Sequence, residues 1–365
     1  MTAQTQLSPL AADLDQVLAH TEGLWEPLRG QTVFITGGTG FFGRWLLETF
    51  AHANRRLELD AYAVVLSRHP EAFRSKAGDL ASDESIRLVR GDVRNINAVG
   101  IRAQLGSSAP KQFRFVIHAA SETSVPANRD APLTVLETCF EGTRRALDFA
   151  AQTGAGHFLL TSSGAVYGEQ PAGLSRVPED HPGVPDIASP LSAYGEGKRV
   201  AELLCHIFSR TQDLNCRIAR CFAFVGPHLA LDAHYAIGNF IRDALAGKAI
   251  RVEGDGTPCR SYLYAADLAI WLWTLLLHPK AAGTYNVGSD EAHSIREIAG
   301  CVSRNSPQPC AVAMARQPDP QRPARRYVPD ISRARRELGL EVWTPLDEAV
   351  RKTIEFHQQT QRAFV

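Results

Sequence analysis

Tyr194 and Lys198 stand four residues apart at the start of a stretch with helical patterning, so both side chains fall on one helix face. A phenol with an ordinary pKa of about 10 is a poor base. A nearby ammonium favours the phenolate, and bringing the phenol to about 7 takes about 4 kcal/mol. The pair therefore reads as a general acid/base with its cationic partner. Upstream, an apolar run ends in Thr161-Ser162-Ser163. A hydroxyl at Ser163 can hydrogen-bond a substrate oxygen and share its proton with Tyr194, whereas Ser162 reads more readily as strand-end capping. Gly195 and Gly197 interrupt the helical stretch. Each costs about 1 kcal/mol relative to alanine, which implies that something packs close to the backbone there.

A second chemical feature lies near the start, Val33-Phe34-Ile35-Thr36-Gly37-Gly38-Thr39-Gly40-Phe41-Phe42-Gly43. A β-type run enters this turn and a helical pattern leaves it. Glycines at 37, 40 and 43 then suit a dinucleotide. The first permits a tight turn, the second lets backbone N–H groups approach a pyrophosphate, and the third lets the helix pack on its strand. The helix N-terminus adds free N–H groups and partial positive charge. The next strand pattern ends in Ser67-Arg68. An acidic residue there would bind a ribose 2′-OH, whereas Arg68, helped by Ser67, suits a 2′-phosphate. NADP is the favoured cofactor on that ground, with NAD the alternative.

These residues need a scaffold, and the pattern supplies one. Strand signals at 32–36, 61–66, 86–90, 113–118, 157–162 and 216–222 alternate with helical stretches at 44–53, 132–152 and 194–210. Apolar strands separated by helices imply a parallel sheet covered on both faces. Residues 1–30 read as a helical extension and 31–225 as the dinucleotide-binding domain, with later segments returning to it. Residues 226–365 read mainly as a smaller substrate-binding lobe. Stretches at 168–192 and 304–323 read as loops or lids. The run 268–277 is too short to span a membrane and reads as a buried helix.

The 365 residues carry 39 Lys+Arg and 39 Asp+Glu, with 44% hydrophobic and 21% charged residues, a globular composition. Zero net charge gives no reason to expect nucleic acid or a membrane surface as partner. Seven cysteines without a C-x-x-C pair predict reduced thiols, a cytoplasmic setting and no metal site.

With these motifs in order, the chain resembles the extended short-chain dehydrogenases/reductases, in their nucleotide-sugar epimerase/dehydratase branch. The matching segments run from Thr32 to about His357. They include the glycine turn, Gly91-Asp92-Val93, His118-Ala119-Ala120-Ser121, Thr161 to Gly168, Tyr194-x-x-x-Lys198, Arg220 to Pro227, Arg260-Ser261-Tyr262, Tyr285 to Gly288 and Pro329-Asp330. The resemblance implies a Rossmann-type doubly wound sheet with a smaller C-terminal α/β lobe. It implies that Tyr194 is the acid/base, that Lys198 holds the nicotinamide ribose and that Ser163 orients the sugar. Asp92, with Val93 beside it, would bind adenine. Ala119, Ala120 and Ser121 would line the dinucleotide, as would Phe41 and Phe42. Ser124, Asn239 and Arg260 would hold the nucleotide diphosphate sugar. It also implies a homodimer built on the helices at 132–152 and 194–210, with Leu133, Leu136, Phe140, Leu147, Leu203, Leu204, Ile207 and Phe208 as the apolar candidates.

The departures from the family pattern carry finer information. The 4,6-dehydratases have an Asp-Glu pair after the catalytic hydroxyl, and the sugar-acid decarboxylases have a Glu at the second position. Here Gly164 and Ala165 occupy those places. No acid is present to protonate a leaving hydroxyl, unless Glu122 or Glu169 reaches in from elsewhere. The first reading is therefore 4-epimerisation through a 4-keto sugar. The second is a 4-keto nucleotide-sugar reductase using NADPH. A 4,6-dehydratase, a decarboxylase and a non-catalytic dinucleotide sensor rank below them. Cys139 and Ala223 replace asparagines usual in the family.

Overall fold

The computed structural model describes residues 9–122, 125–183, 185–233, 235–319, 321 and 323–362. Its first strand, β1 (Thr32–Thr36), is buried along its whole length and turns directly into helix α1 (Phe41–Arg56). β2 (Tyr62–Ser67), β3 (Ile86–Arg90), β4 (Phe115–His118), β5 (His157–Ser163) and β6 (Asn215–Cys221) follow. A strand from far along the chain, Gly283–Val287, pairs with β6 and completes a seven-stranded parallel sheet. The spatial order is Gly283–Val287, β6, β5, β4, β1, β2, β3. The chain winds one way from β1 through β2 to β3 and then returns to β4 on the other side. The crevice between the ends of β1 and β4 is the switch point at which such sheets bind ligands.

Helices cover both faces. Pro132–Gln152 and Ala193–Thr211 pack against each other, and Ala265–Leu277 is buried at every residue. The apolar run at 268–277 is thus a core helix, and among the described residues no helix is long and apolar enough to cross a membrane. The N-terminal extension forms a helix, Ala11–His20. It buries Leu14 and Val17 and packs on Ala265–Leu277 and α1. Asp13 accepts hydrogen bonds from Tyr264 Oη (2.7 Å) and Lys352 Nζ (2.7 Å), which fastens the extension to the body.

The residues after 226 supply Ala236–Leu245 and a small three-stranded sheet that brings Cys259–Arg260, His293–Ser294 and Arg326–Tyr327 together. In that sheet Tyr327 lies in register with Arg260. Strand limits differ from the sequence pattern by one or two residues. The 113–118 pattern yields strand only from Phe115, since Phe113 is buried outside the ladder.

Candidate active site

The strand-to-helix turn forms as its glycines dictate. Gly37 has φ +72°, and a Cβ there would stand 2.4 Å from the carbonyl carbon of Ala119 at the end of β4. Gly43 lies against Gly38, with a Cβ 2.2 Å from its Cα. Gly40 caps α1 in an extended conformation, and a Cβ there would stand in ordinary contact with the Gly37 carbonyl oxygen at 3.5 Å. Phe41 and Phe42 begin the helix. Their rings are half-buried against the core, Phe42 edge-on to Phe224 at 4.9 Å, at the helix end whose first backbone N–H groups lack intrahelical partners. The β4 edge is fixed by His118. Its Nδ1 meets Thr36 Oγ1 at 2.7 Å and its Nε2 meets Thr143 Oγ1 at 3.1 Å. Burial holds this imidazole neutral, with its pKa lowered to about 3. Thr36 also receives the N–H of Ala120. Ser121 Oγ is enclosed and has no partner among the described residues. A glycine cradle and an orphaned hydroxyl on the same crevice fit a dinucleotide.

At the β2 end Ser67 is buried and accepts from the N–H of His69, while Arg68 is exposed. Arg68 has room to meet a phosphate, and Ser67, which accepts from His69, keeps its O–H donor for a phosphate oxygen. Asp92 is bound by Arg94, which donates from its N–H, Nε and Nη2 at 2.8 to 3.0 Å. That pairing holds the carboxyl below its usual range. Sequence reading missed Arg94. The one acceptor site left, on Asp92 Oδ2, can still serve an adenine amino group. Val93 is buried beneath it, against Gly142.

On the other side of the crevice, β5 ends at Ser163, whose Oγ accepts from the N–H of Ala165 at 3.1 Å. Ala193–Thr211 carries Tyr194 beside it and Lys198 one turn on. Ser163 offers hydrogen bonding to the Tyr194 phenol, but burial dominates and pushes that phenol well above its ordinary value. The expected lowering by Lys198 is not met. Its Nζ donates to the Thr161 carbonyl at 2.8 Å and sits 5.9 Å from the Tyr194 ring centre, tied to the strand. The two helix glycines are explained by protein neighbours. A Cβ at Gly195 would stand 2.7 Å from the Ala165 carbonyl oxygen, and one at Gly197 would stand 2.7 Å from Cys139 Cβ. Cys139 is therefore a small residue on which two helices close.

The third wall comes from the small sheet. Arg260 is half-buried, with its guanidinium carbon 5.9 Å from the Tyr327 ring centre. Asn239, on Ala236–Leu245, is half-buried and accepts from Arg242 at 3.3 Å. Ser124 lies outside the described residues. Tyr327 was not foreseen from sequence. Its ring packs tilted against Phe222, with the ring centres 4.7 Å apart. Gly164 makes room for it, since a Cβ there would lie 2.6 Å from Tyr327 Oη and 2.9 Å from the Phe222 ring. The place of the missing acid is filled by a phenol. Glu169 is turned outward to Arg325 (3.2 Å), with both side chains exposed.

Residues 33–288 match the model of the NAD-dependent epimerase/dehydratase family. The chain belongs to that family. It is an enzyme of the extended short-chain dehydrogenases/reductases that modify nucleotide sugars. A UDP-glucuronic acid decarboxylase of Danio rerio is 31% identical over 330 residues, covering 89% of this chain and 72% of the relative. The structure of MoeE5 in complex with UDP-glucuronic acid and NAD superposes with TM-score 0.71 at 26% identity, over 90% of this chain and 99% of that one. The UDP-glucose 4-epimerase of Thermus thermophilus, in complex with NAD, gives TM-score 0.73 at 24% identity, over 90% and 99%, and supports the fold.

Proposed function

We propose that this enzyme works on the C4 position of a nucleoside diphosphate sugar and that its net reaction is 4-epimerisation. The observation that supports this reading is the placement of Ser163 at the end of β5 beside the Tyr194 helix, with Lys198 fastened to the same strand through the Thr161 carbonyl at 2.8 Å, next to positions 164 and 165 that carry no acid. The dinucleotide, held by the Gly37–Gly43 turn, Ala119, Ala120 and Ser121, would supply reversible hydride acceptance. Tyr194 takes the proton of the 4-hydroxyl as the C4 hydride departs, leaving a 4-keto sugar. Ser163 donates to the ketone oxygen and holds it against Tyr194. After the sugar turns over, Tyr194 returns the proton as hydride adds to the opposite face, so atoms and electrons balance. Arg260 and Asn239 would grip the diphosphate, an arginine fork suiting its oxygens. Arg68 favours NADP.

Decarboxylation of a nucleoside diphosphate uronic acid is the second reading, favoured by the UDP-glucuronic acid decarboxylases among the relatives. A C4 ketone is β to a C5 carboxylate, which then leaves as CO2 without an acid at C6. The same void at 164 and 165 therefore speaks against dehydration more strongly than against decarboxylation.

The test is incubation with a panel of UDP and dTDP hexoses and uronic acids, read by NMR of the sugar. Interconversion of C4 epimers without net use of dinucleotide supports the first reading. A pentose with CO2 establishes the second, and consumption of NADPH points to a reductase. A 6-deoxy-4-keto product would overturn the argument from residues 164 and 165.

We also propose a homodimer through Pro132–Gln152 and Ala193–Thr211. Leu133 (67% exposed), Phe140, Leu203 and Ile207 form its apolar face. Leu147 is removed from that set because it is buried in the monomer core, and Leu204 and Phe208 pack inward with it. All seven cysteines are free thiols, which suits the proposed cytoplasmic setting.

A further inference from the structure

Asp92 is gripped by the residue two places after it. The chain leaves β3 through Gly91, whose N–H donates to the Ser67 carbonyl at 3.0 Å and draws the end of β3 against the end of β2. A Cβ at Gly91 would stand 2.9 Å from Leu66 Cδ1. A single helical turn, Val93–Asn95, follows, with Val93 buried against Gly142 of the Pro132–Gln152 helix. The backbone on either side of Asp92 is therefore fixed, while its carboxylate and the Arg94 guanidinium are both partly exposed.

A carboxylate has four acceptor sites. Oδ1 of Asp92 accepts from Arg94 N at 2.9 Å and from Arg94 Nε at 3.0 Å, and Oδ2 accepts from Arg94 Nη2 at 2.8 Å. Nε and Nη2 form one edge of a planar fork that matches the plane of a carboxylate. Three bonds from one residue set both the position and the plane of the group, and a single acceptor site on Oδ2 remains. This limits the base that Asp92 accepts. Adenine presents a 6-amino donor beside an acceptor at N1. Hypoxanthine, its deaminated form, presents a 6-oxo acceptor beside an N1–H donor. A carboxylate fixed opposite position 6 accepts from the first and meets the second oxygen to oxygen. A carboxylate free to swing reaches the N1–H instead and takes both.

We propose that Arg94 is a positioning residue of the dinucleotide site: its fork locks Asp92 so that the last acceptor site reads the 6-amino group, which makes the site selective for adenine over a 6-oxo purine. This rests on the reading of Asp92 as the adenine contact. Two arginines then divide the adenosine end of the cofactor, with Arg68 answering to the 2′-phosphate and Arg94, through Asp92, to the base.

The test is calorimetric titration of the full chain, without sugar, with NADP and NAD and with the hypoxanthine analogue of each. The readout is the ratio of the two dissociation constants within each pair. Wild-type protein should bind the hypoxanthine form about 10- to 100-fold more weakly, the scale of one hydrogen bond to a charged group. Arg94→Ala should bring the ratio down to about threefold or less, because one lost bond of that kind is worth about tenfold. Arg94→Lys should do the same, since an ammonium keeps the charge but not the fork. The backbone N–H at position 94 stays in both variants, so only the fork is removed. A general loss of stability weakens both members of a pair alike and leaves the ratio where it was. Asp92→Ala separates the two claims. If Asp92→Ala abolishes the ratio while Arg94→Ala or Arg94→Lys retains it, the proposal is overturned and the adenine contact stands. If Asp92→Ala leaves the ratio intact, or wild-type protein shows none, the adenine contact falls and the proposal with it.

Discussion

Ser162 and Ser163 are neighbours on β5 and point to opposite faces of the sheet, as successive strand residues must. Behind the sheet edge, Ser162 Oγ donates to Glu202 Oε1 at 2.6 Å, and Glu202 pairs with Arg220 at 2.7 Å. Arg220 donates on to Tyr167 Oη, which donates to Asn286, whose amide donates to the Val177 and Asp330 carbonyls. Each member has its partners within the protein. In front, Ser163, Tyr194 and Ser121 keep capacity that the protein does not use. Polar residues with a full set of partners hold the fold, whereas those with spare capacity beside an opening are available to a ligand. By this measure Arg220, Asn286 and Asp267 are family signatures of architecture. Asp267, for instance, accepts from Trp343 N, Thr344 N and Thr344 Oγ1 deep in the core.

The contrast breaks most visibly if the rear network is cut. Glu202→Ala leaves Arg220 half-buried without its carboxylate and should cost about 3–5 kcal/mol in denaturant unfolding. A loss below about 1 kcal/mol would place the network with weak surface pairs. In front the opposite is expected. Tyr194→Phe should keep the unfolding midpoint and dinucleotide binding but lose at least about 10²-fold in rate, and near-normal turnover would remove Tyr194 from the chemistry. The β4 anchor sharpens the comparison through pH. His118 is held at about 3 in the folded protein against 6.5 for the free side chain. Its contribution is complete above pH 6.5 and is lost as pH falls, because the unfolded chain takes up the proton first. Each pH unit below 6.5 should cost about 1.4 kcal/mol from this residue. Unfolding of His118→Asn should show a correspondingly flatter slope between pH 6.5 and 4.5, and an unchanged slope would contradict its buried neutral state. The smallest effect is expected at the rim, where Arg68→Ala should weaken NADP about tenfold and leave NAD nearly unchanged. Titration of both dinucleotides decides this, and equal changes would return Arg68 to an ordinary surface role.

The glycine turn, the six strand patterns and the Tyr194/Lys198 helix were legible because each is a local rule of spacing and period. β1 and β3 and the 132–152 helix match the sequence pattern residue for residue. Less legible was what fills space next to those elements. Gly195 and Gly197 signalled a close approach, but nothing in the pattern says that it comes from Ala165 and Cys139. Arg94 sits two residues from Asp92, and no periodicity marks it as the partner. Leu147 has the same apolar character as Leu133, yet one is interior and the other exposed.

The sequence by itself determined the class of fold and the crevice edge on which the chemistry sits, because glycine geometry, strand period and helix spacing act over a few residues. Only the tertiary structure decided what stands where the acid is missing. Tyr327 lies 163 positions beyond Gly164, and it arrives there because a two-residue strand pairs in register with Arg260 and because a residue without a side chain leaves the volume open. Contacts of that kind depend on distant segments meeting in a close-packed interior, and no local pattern records them.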